Sequence, residues 1–429
     1  MTQAPSWRSG LAYGLTGLPL AFVALPLYVF MPQYYAQQFG MPLAALGGVL
    51  LGARLLDALT DPFIGQGVDR LFRLSRRALL ATLCAAALLL WLGFAGLFFP
   101  PSSWRASSSQ LVAWAALSLS LTYLCYGLIT IVHQAWAARL RGGDLAQSFW
   151  ASWREGLALV GVLVASVLPG TFSMGVVVVV LAAVWVVALS ALARAPSPSP
   201  EAHYRQASTP LSWADLCRPW KLSEFRGLLL AFLLNGIASA IPATLLLFFI
   251  KDRLQADGWE GVFLLIYFAC AALAMPLWWR LVGRIGLERS WMTGMAVALA
   301  GFVGAAWLQS GDIFWFGLVC ALSGLALGSD LALPAALLAR VIVRHDDEAS
   351  REGAYFGWWS SATKLNLAVA AGLALPLLEW LGYSPGAINA AGTRALTFSY
   401  AVLPCVLKVL ALVALWRWHR RFNIQGEPS

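Results

Sequence analysis

The chain has 429 residues, 60% of them hydrophobic and 11% charged, with a mean hydropathy of +0.73. A soluble domain carries about 25% charged residues, so a water-facing globular fold of this size is excluded. The formal net charge of +9 is concentrated in loops on one side of the apolar stretches, a topological distribution, so no nucleic-acid partner is expected.

Twelve apolar stretches of membrane-spanning length follow one another, at roughly 11–31, 43–67, 78–99, 109–138, 149–169, 173–194, 227–250, 261–281, 291–309, 313–342, 353–380 and 396–416. With the N-terminus inside, the cytoplasmic loops and tails hold about 21 of the 29 Lys and Arg and the opposite side about 4. The other four, Arg54, Arg154, Lys364 and Lys408, fall within stretches. This asymmetry predicts an all-α, multi-pass protein of the cell membrane (the inner membrane if the source is bacterial), with both termini cytoplasmic. Trp7, Trp104, Trp220, Trp259, Trp380 and Trp418 lie near stretch ends, where indole suits the membrane interface. The opening residues lead into the first stretch without a small-residue cleavage site, so no removable leader is expected. Six scattered cysteines show no paired spacing, and neither a disulfide frame nor a metal site is expected from them.

The second stretch carries R-L-L-D-A-L-T-D-P-F-I-G-Q-G-V-D-R. Helical spacing places Arg54, Asp57 and Asp61 within about 60° of one another on one face. An ionised group at mid-membrane costs roughly 2.5–3.5 kcal/mol on insertion scales, so these residues mark a site able to hold a proton or Na⁺. The alternative is a structural Arg–Asp pair joining helices. Pro62 removes one backbone hydrogen bond and is expected to kink this helix. The run then turns into G-Q-G-V-D-R-L-F-R, where Asp69 and Arg70 could cap a helix end and act as gate residues.

In the fourth stretch, His133, Gln134 and Trp136 interrupt an apolar run. His133 is a candidate proton carrier or a packed core residue, and Trp136 a candidate stacking face. The fifth stretch opens S-F-W-A-S-W-R-E-G-L, where the forked donors of Arg154 suit an anionic or polyhydroxyl group. Glu155 is expected about 100° away, toward the interface.

Residues 195–226 are rich in Pro, Ser and charge and read as a linker, with a short interfacial helix near Trp213–Trp220. Six stretches precede it and six follow. Shifting the chain by 214 residues lays Pro62 on Pro276, Val68 on Val282 and Arg70 on Arg284, all at the same helix-to-loop junction. The expected organisation is a six-helix bundle at 1–195, a cytoplasmic linker at 196–226, and a second six-helix bundle with a short tail at 227–429. Two such repeats are the plan of the major facilitator fold. Asp57 and Asp61 face Ala271 and Met275 in the second copy, which puts ion chemistry in the first half.

In the tenth stretch Asp330 has no charge nearby in sequence and needs a partner from another helix. In the eleventh, Lys364 follows Ser360 and Ser361 by one turn and is expected to face a carboxylate. Lys408 is expected to snorkel. No phosphate-binding loop, zinc spacing or nucleophile elbow is present, so no enzyme activity and no cofactor other than the coupling ion (H⁺ or Na⁺) is expected.

Together, A-R-L-L-D-A-L-T-D-P-F-I-G, S-W-R-E-G-L and R-E-G-A-Y-F-G-W-W-S-S-A-T-K-L resemble the glycoside–pentoside–hexuronide:cation symporter family, the melibiose permease group, over most of the chain. The resemblance implies cation coupling at Asp57 and Asp61 with Arg54 and Lys364, and substrate binding at Arg154 with Trp136 lining the cavity. Two departures stand out. The first stretch has no acid where the family holds sugar hydroxyls, and the family's third cation-site carboxylate falls at or near Val132. Two carboxylates suffice for a proton but coordinate Na⁺ poorly, so proton coupling is favoured.

The expectation is therefore a monomeric, cation-coupled secondary transporter of a small organic solute, working by alternating access. Arg154, Trp136, His133 and Asp330 line its cavity. The alternatives are a lipid or amphiphile carrier of the same fold, and a non-transporting membrane receptor or assembly factor.

Overall fold

The computed structural model describes residues 6–41, 43–105, 107–140, 143–198, 216–345, 352–383 and 390–423. All of the regular structure among these residues is helical. The first helical run comprises α1 (Trp7–Gly14), α2 (Gly17–Leu25), a π-helical turn (Pro26–Phe30) and α3 (Met31–Phe39). Then come α4 (Leu43–Arg73), α5 (Arg76–Phe98), α6 (Ser108–Arg139), α7 (Asp144–Thr171) and α8 (Met174–Leu192). A one-turn helix α9 (Arg218–Lys221) precedes α10 (Ser223–Phe248), α11 (Glu260–Ile285), α12 (Leu287–Ala305), α13 (Ile313–His345) and α14 (Glu352–Trp380). The last run is α15 (Ala390–Thr397), a π-helical turn (Phe398–Val402) and α16 (Leu403–Asn423). Each of the twelve apolar stretches falls on one of these helices or runs. Seven helices among the described residues are long and apolar enough to cross a membrane by length and composition. Residues 199–215 of the expected linker lie outside the described residues, and α9 falls at the end of the short helix expected there.

Helix starts follow local chemistry. Ser75 accepts from the Ala78 amide at 3.1 Å to open α5, and Ser107 accepts from Gln110 at 3.3 Å to open α6. Pro62 and Pro276, the pair matched by the 214-residue shift, both sit inside their helices, α4 and α11.

The structure divides into two compact units: residues 1–218 with 342–361, and 219–341 with 362–429. This differs from a strictly sequential division, because the start of α14 is held by α4. Gly65 and Gly353 stand so close that a Cβ on either would strike the other's carbonyl oxygen, and one on Gly357 would lie 2.6 Å from the Asp61 carbonyl.

In the first unit α6 packs against α4 and α5, and α1 and α2 pack against α7. Helices come together in lipid through small residues that let backbones approach. A Cβ on Gly17 would lie 2.5 Å from the Arg154 carbonyl, and one on Gly161 would strike the Leu18 carbonyl. Gly161→Leu is expected to separate α2 from α7 and cost about 1–3 kcal/mol, the range for overpacking. Denaturation of the purified protein in mixed micelles would measure it. In the second unit α16 packs against α10 and α12. Its core holds an aromatic cluster in which Phe249 stacks on Tyr400 at 4.0 Å and Phe263 meets Phe316 edge-on at 4.7 Å.

Helix α4 is inside-out by aqueous standards. Leu51, Leu55, Leu59 and Phe63, four residues apart, form an exposed apolar stripe, with Leu59 69% exposed. Asp57, Asp61 and Asp69 are buried, Asp61 completely. Only a hydrocarbon solvent rewards that arrangement.

Candidate functional site

The buried stripe of α4 carries two carboxylates one turn apart. Asp57 is 3% exposed and Asp61 0%. The Thr60 hydroxyl donates to the Asp57 carbonyl at 3.0 Å, occupying a backbone oxygen within the stripe. Arg54, one turn before Asp57, places its guanidinium 5.6 Å from the centre of the Tyr123 ring on α6. Tyr126, one turn further along α6, lies within the electrostatic reach of Glu155, Asp57, Arg54 and Asp61 together. The first unit therefore gathers charges from α4 and α7 around two phenols of α6. Neither Tyr123 nor Tyr126 stood out in the sequence, although their spacing of three puts both on one helix face.

Arg154 is buried, and it is held by its sequence neighbour: Nε and Nη2 reach the Glu155 carboxylate at 2.8 and 2.7 Å. Glu155 thus serves the guanidinium and does not turn to the interface. Tyr13 of α1 approaches the same guanidinium. Its hydroxyl donates to the His133 carbonyl at 2.7 Å, while His133 Nε2 lies 2.9 Å from the Tyr13 carbonyl and the two rings sit 4.2 Å apart. His133, 1% exposed, is spent on joining α1 to α6. Trp136 is fully buried, donates to the Pro196 carbonyl at 3.0 Å and meets Phe72 edge-on. The structure gives both residues packing roles.

At the end of α4, Asp69 caps another helix. Its carboxylate accepts from the Gly353 amide at 2.7 Å and the Ala354 amide at 3.0 Å, in the first turn of α14. Arg139, closing α6, bridges Asp69 at 3.1 Å and Glu352 at 2.7 Å, with its guanidinium 4.1 Å from the Phe72 ring centre. Arg70 is exposed. Arg139 and Glu352 were legible only as members of a basic loop and of the R-E-G run.

Burial pushes the Asp69 carboxyl up to about 6, against the pull of Arg139 and the two amides. A carboxyl whose pKa is higher docked than free favours docking most below its free value and loses that contribution as pH rises through about 6. Backbone exchange at 353–357, corrected for intrinsic rates, is expected to show better protection at pH 5 than at pH 8. Asp69→Asn should flatten the difference.

The second unit holds the remaining candidates. Asp330 on α13 finds its partner in Lys408 on α16, with Nζ to Oδ2 at 2.6 Å and both side chains at most 10% exposed. Trp291 Nε1 donates to Asp330 Oδ1 at 2.9 Å, and Lys408 also donates to Ser239 Oγ at 3.0 Å. Lys408 does not snorkel, because a buried carboxylate compensates its charge in place. Lys364 is half-buried on the part of α14 that belongs to this unit.

Residues 11–420 match the family described as MFS/sugar transport protein. A 166-residue stretch is 26% identical to a protein of Escherichia coli (strain K12) named as a glycoside/cation symporter, YagG. The match spans 39% of this chain and 35% of that one, about a third of the relative's length. The fold is similar to that of a bacterial homologue of the iron transporter ferroportin in its outward-facing state, with a TM-score of 0.70 at 17% identity over 97% of this chain and 100% of that one. It is similar also to the human organic anion transporter MFSD10 (TETRAN), with a TM-score of 0.67 at 18% identity over 96% and 100%. The E. coli fucose:proton symporter FucP gives a TM-score of 0.64 at 14% identity over 96% and 97%. At these identities the likeness is one of fold.

Proposed function

The chain belongs to the MFS/sugar transport protein family, and on that premise we propose that it is a proton-coupled secondary transporter of a small organic solute, working by alternating access. The observation that carries this reading is the buried acid stripe of α4. Two carboxylates one turn apart in a low-dielectric interior repel when both are ionised, so their joint charge changes readily by one proton. Arg54 sets the balance from the same face. Arg154, oriented by Glu155 and close to Tyr13, is the substrate-facing cation of the first unit, and Tyr126 links it electrostatically to the acid pair. Asp69 and Arg139 hold the start of α14, a contact that must open for the carrier to change conformation.

Substrate-driven currents in proteoliposomes test the reading, with sugars, uronates, sulfonates and lysolipids offered under a pH gradient or a Na⁺ gradient alone. A current driven by the pH gradient without Na⁺ is expected. Accumulation that needs Na⁺ at every pH would overturn proton coupling. A response to lysolipids alone would move the protein to the amphiphile carriers.

A further inference from the structure

The second unit contains a cavity of about 140 Å³, lined by α10, α11, α12, α13, the closing π-turn and α16. That is close to the roughly 150 Å³ of an apolar cavity known to take up benzene. Its walls are aromatic, from Phe263, Tyr267, Phe268, Phe302 and Tyr400. Besides the Tyr267 and Tyr400 phenols and the Cys320 and Cys405 thiols, the polar groups lie at two separate places. At one, Asp330 and Lys408 pair beside Ser239. At the other, Ser323 lines the cavity 6% exposed, and its hydroxyl has no hydrogen-bond partner among the described residues. Ser323 and Asp330 are seven residues apart on α13, which places them on one face about 10.5 Å apart along the axis.

We propose that this cavity is a binding site for a neutral six-membered ring bearing hydroxyl groups at opposite ends. The ring fits the volume and the aromatic walls. One hydroxyl meets the ion pair, accepting from Lys408 and donating to Asp330. Lys408 has three N–H donors, and its partners among the described residues are Ser239 and Asp330. The other hydroxyl pairs with Ser323, whose buried oxygen otherwise carries an unmet desolvation cost. Charge on the ligand is disfavoured because the Asp330–Lys408 pair is already neutral overall, so an added ion would be buried without compensation. A hexose is disfavoured too, since several of its hydroxyls would face ring carbons.

The experiment is equilibrium binding to the full chain in lipid nanodiscs, without any ion gradient, so its outcome does not depend on which ion drives transport. The probes are 4-hydroxybenzyl alcohol, benzyl alcohol and toluene, read by saturation-transfer NMR with empty nanodiscs as the partition background. Saturable binding is expected, strongest for the diol and weakest for toluene. Ser323→Ala removes a hydroxyl that no described residue uses, so the fold should survive. It should weaken the diol about two- to tenfold, down to the level of benzyl alcohol, as expected for one hydrogen bond. Uptake indistinguishable from empty nanodiscs, a preference for toluene, or an unchanged gap between the two alcohols in Ser323→Ala would each overturn the proposal.

Discussion

Asp57→Asn is expected to reduce gradient-driven accumulation to the level of empty liposomes while leaving a folded protein in the membrane. Asparagine keeps the size of aspartate and one acceptor oxygen, but it puts an N–H donor in place of the second oxygen and cannot exchange a proton. The substitution therefore separates a charge-carrying role from a structural one. If the α4 acids only paired with Arg54 to join helices, the amide would lower stability while the folded protein kept its accumulation. Asp61→Asn should act in the same direction, because Asp61 is the more deeply buried member of the pair. Asp57→Glu restores the carboxyl on a longer stem and is expected to recover part of the accumulation with a displaced pH dependence. Uptake of solute down its own gradient, measured beside accumulation, separates uncoupling from loss of the substrate site. Full accumulation in both amide variants would remove α4 from the coupling mechanism.

The second large effect concerns stability. Lys408→Met leaves Asp330 buried with its cation gone, and breaking a buried pair in this way costs about 3–5 kcal/mol. The double variant Asp330→Asn/Lys408→Met removes both charges, keeps an acceptor for Trp291 Nε1, and should recover most of that loss, since replacing a whole buried pair is often near neutral. Unfolding in mixed micelles would give both numbers. A single variant as stable as the parent would mean that Asp330 and Lys408 are not isolated from water together.

The helices were legible because their signal is long: some twenty apolar residues in a row, closed by serine caps and basic turns. Asp69 was legible as a capping residue for the same kind of reason, since a carboxylate just past an apolar run has few other uses. Partner choice was not legible. Asp330 needed a cation; Lys364 was the lysine expected to face a carboxylate and Lys408 the one expected to snorkel, yet helix rotation gives Asp330 to Lys408. Arg154 and Glu155 are adjacent, a spacing that normally points side chains apart, yet the long guanidinium stem folds back onto the acid. His133 and Trp136 show the limit of periodicity. A polar or aromatic residue on an interior face can line a cavity or lock two helices together, and only the neighbour, here Tyr13 or Pro196, distinguishes the two.

The capture of residues 342–361 by the first unit bears on biogenesis. A ribosome makes roughly 5–20 residues per second, and early domains usually close before later ones emerge. Here the first unit has all of its own helices by residue 218 but lacks its last piece until residue 361 has been made. Asp69 and Arg139 must therefore wait in a half-built bundle, two charges at a membrane surface without the helix start they will hold. The translation interval, about 140 residues and so on the order of ten seconds, is when this chain is most exposed to quality control. Variants that weaken the docking of α14 would then show themselves first as lowered abundance.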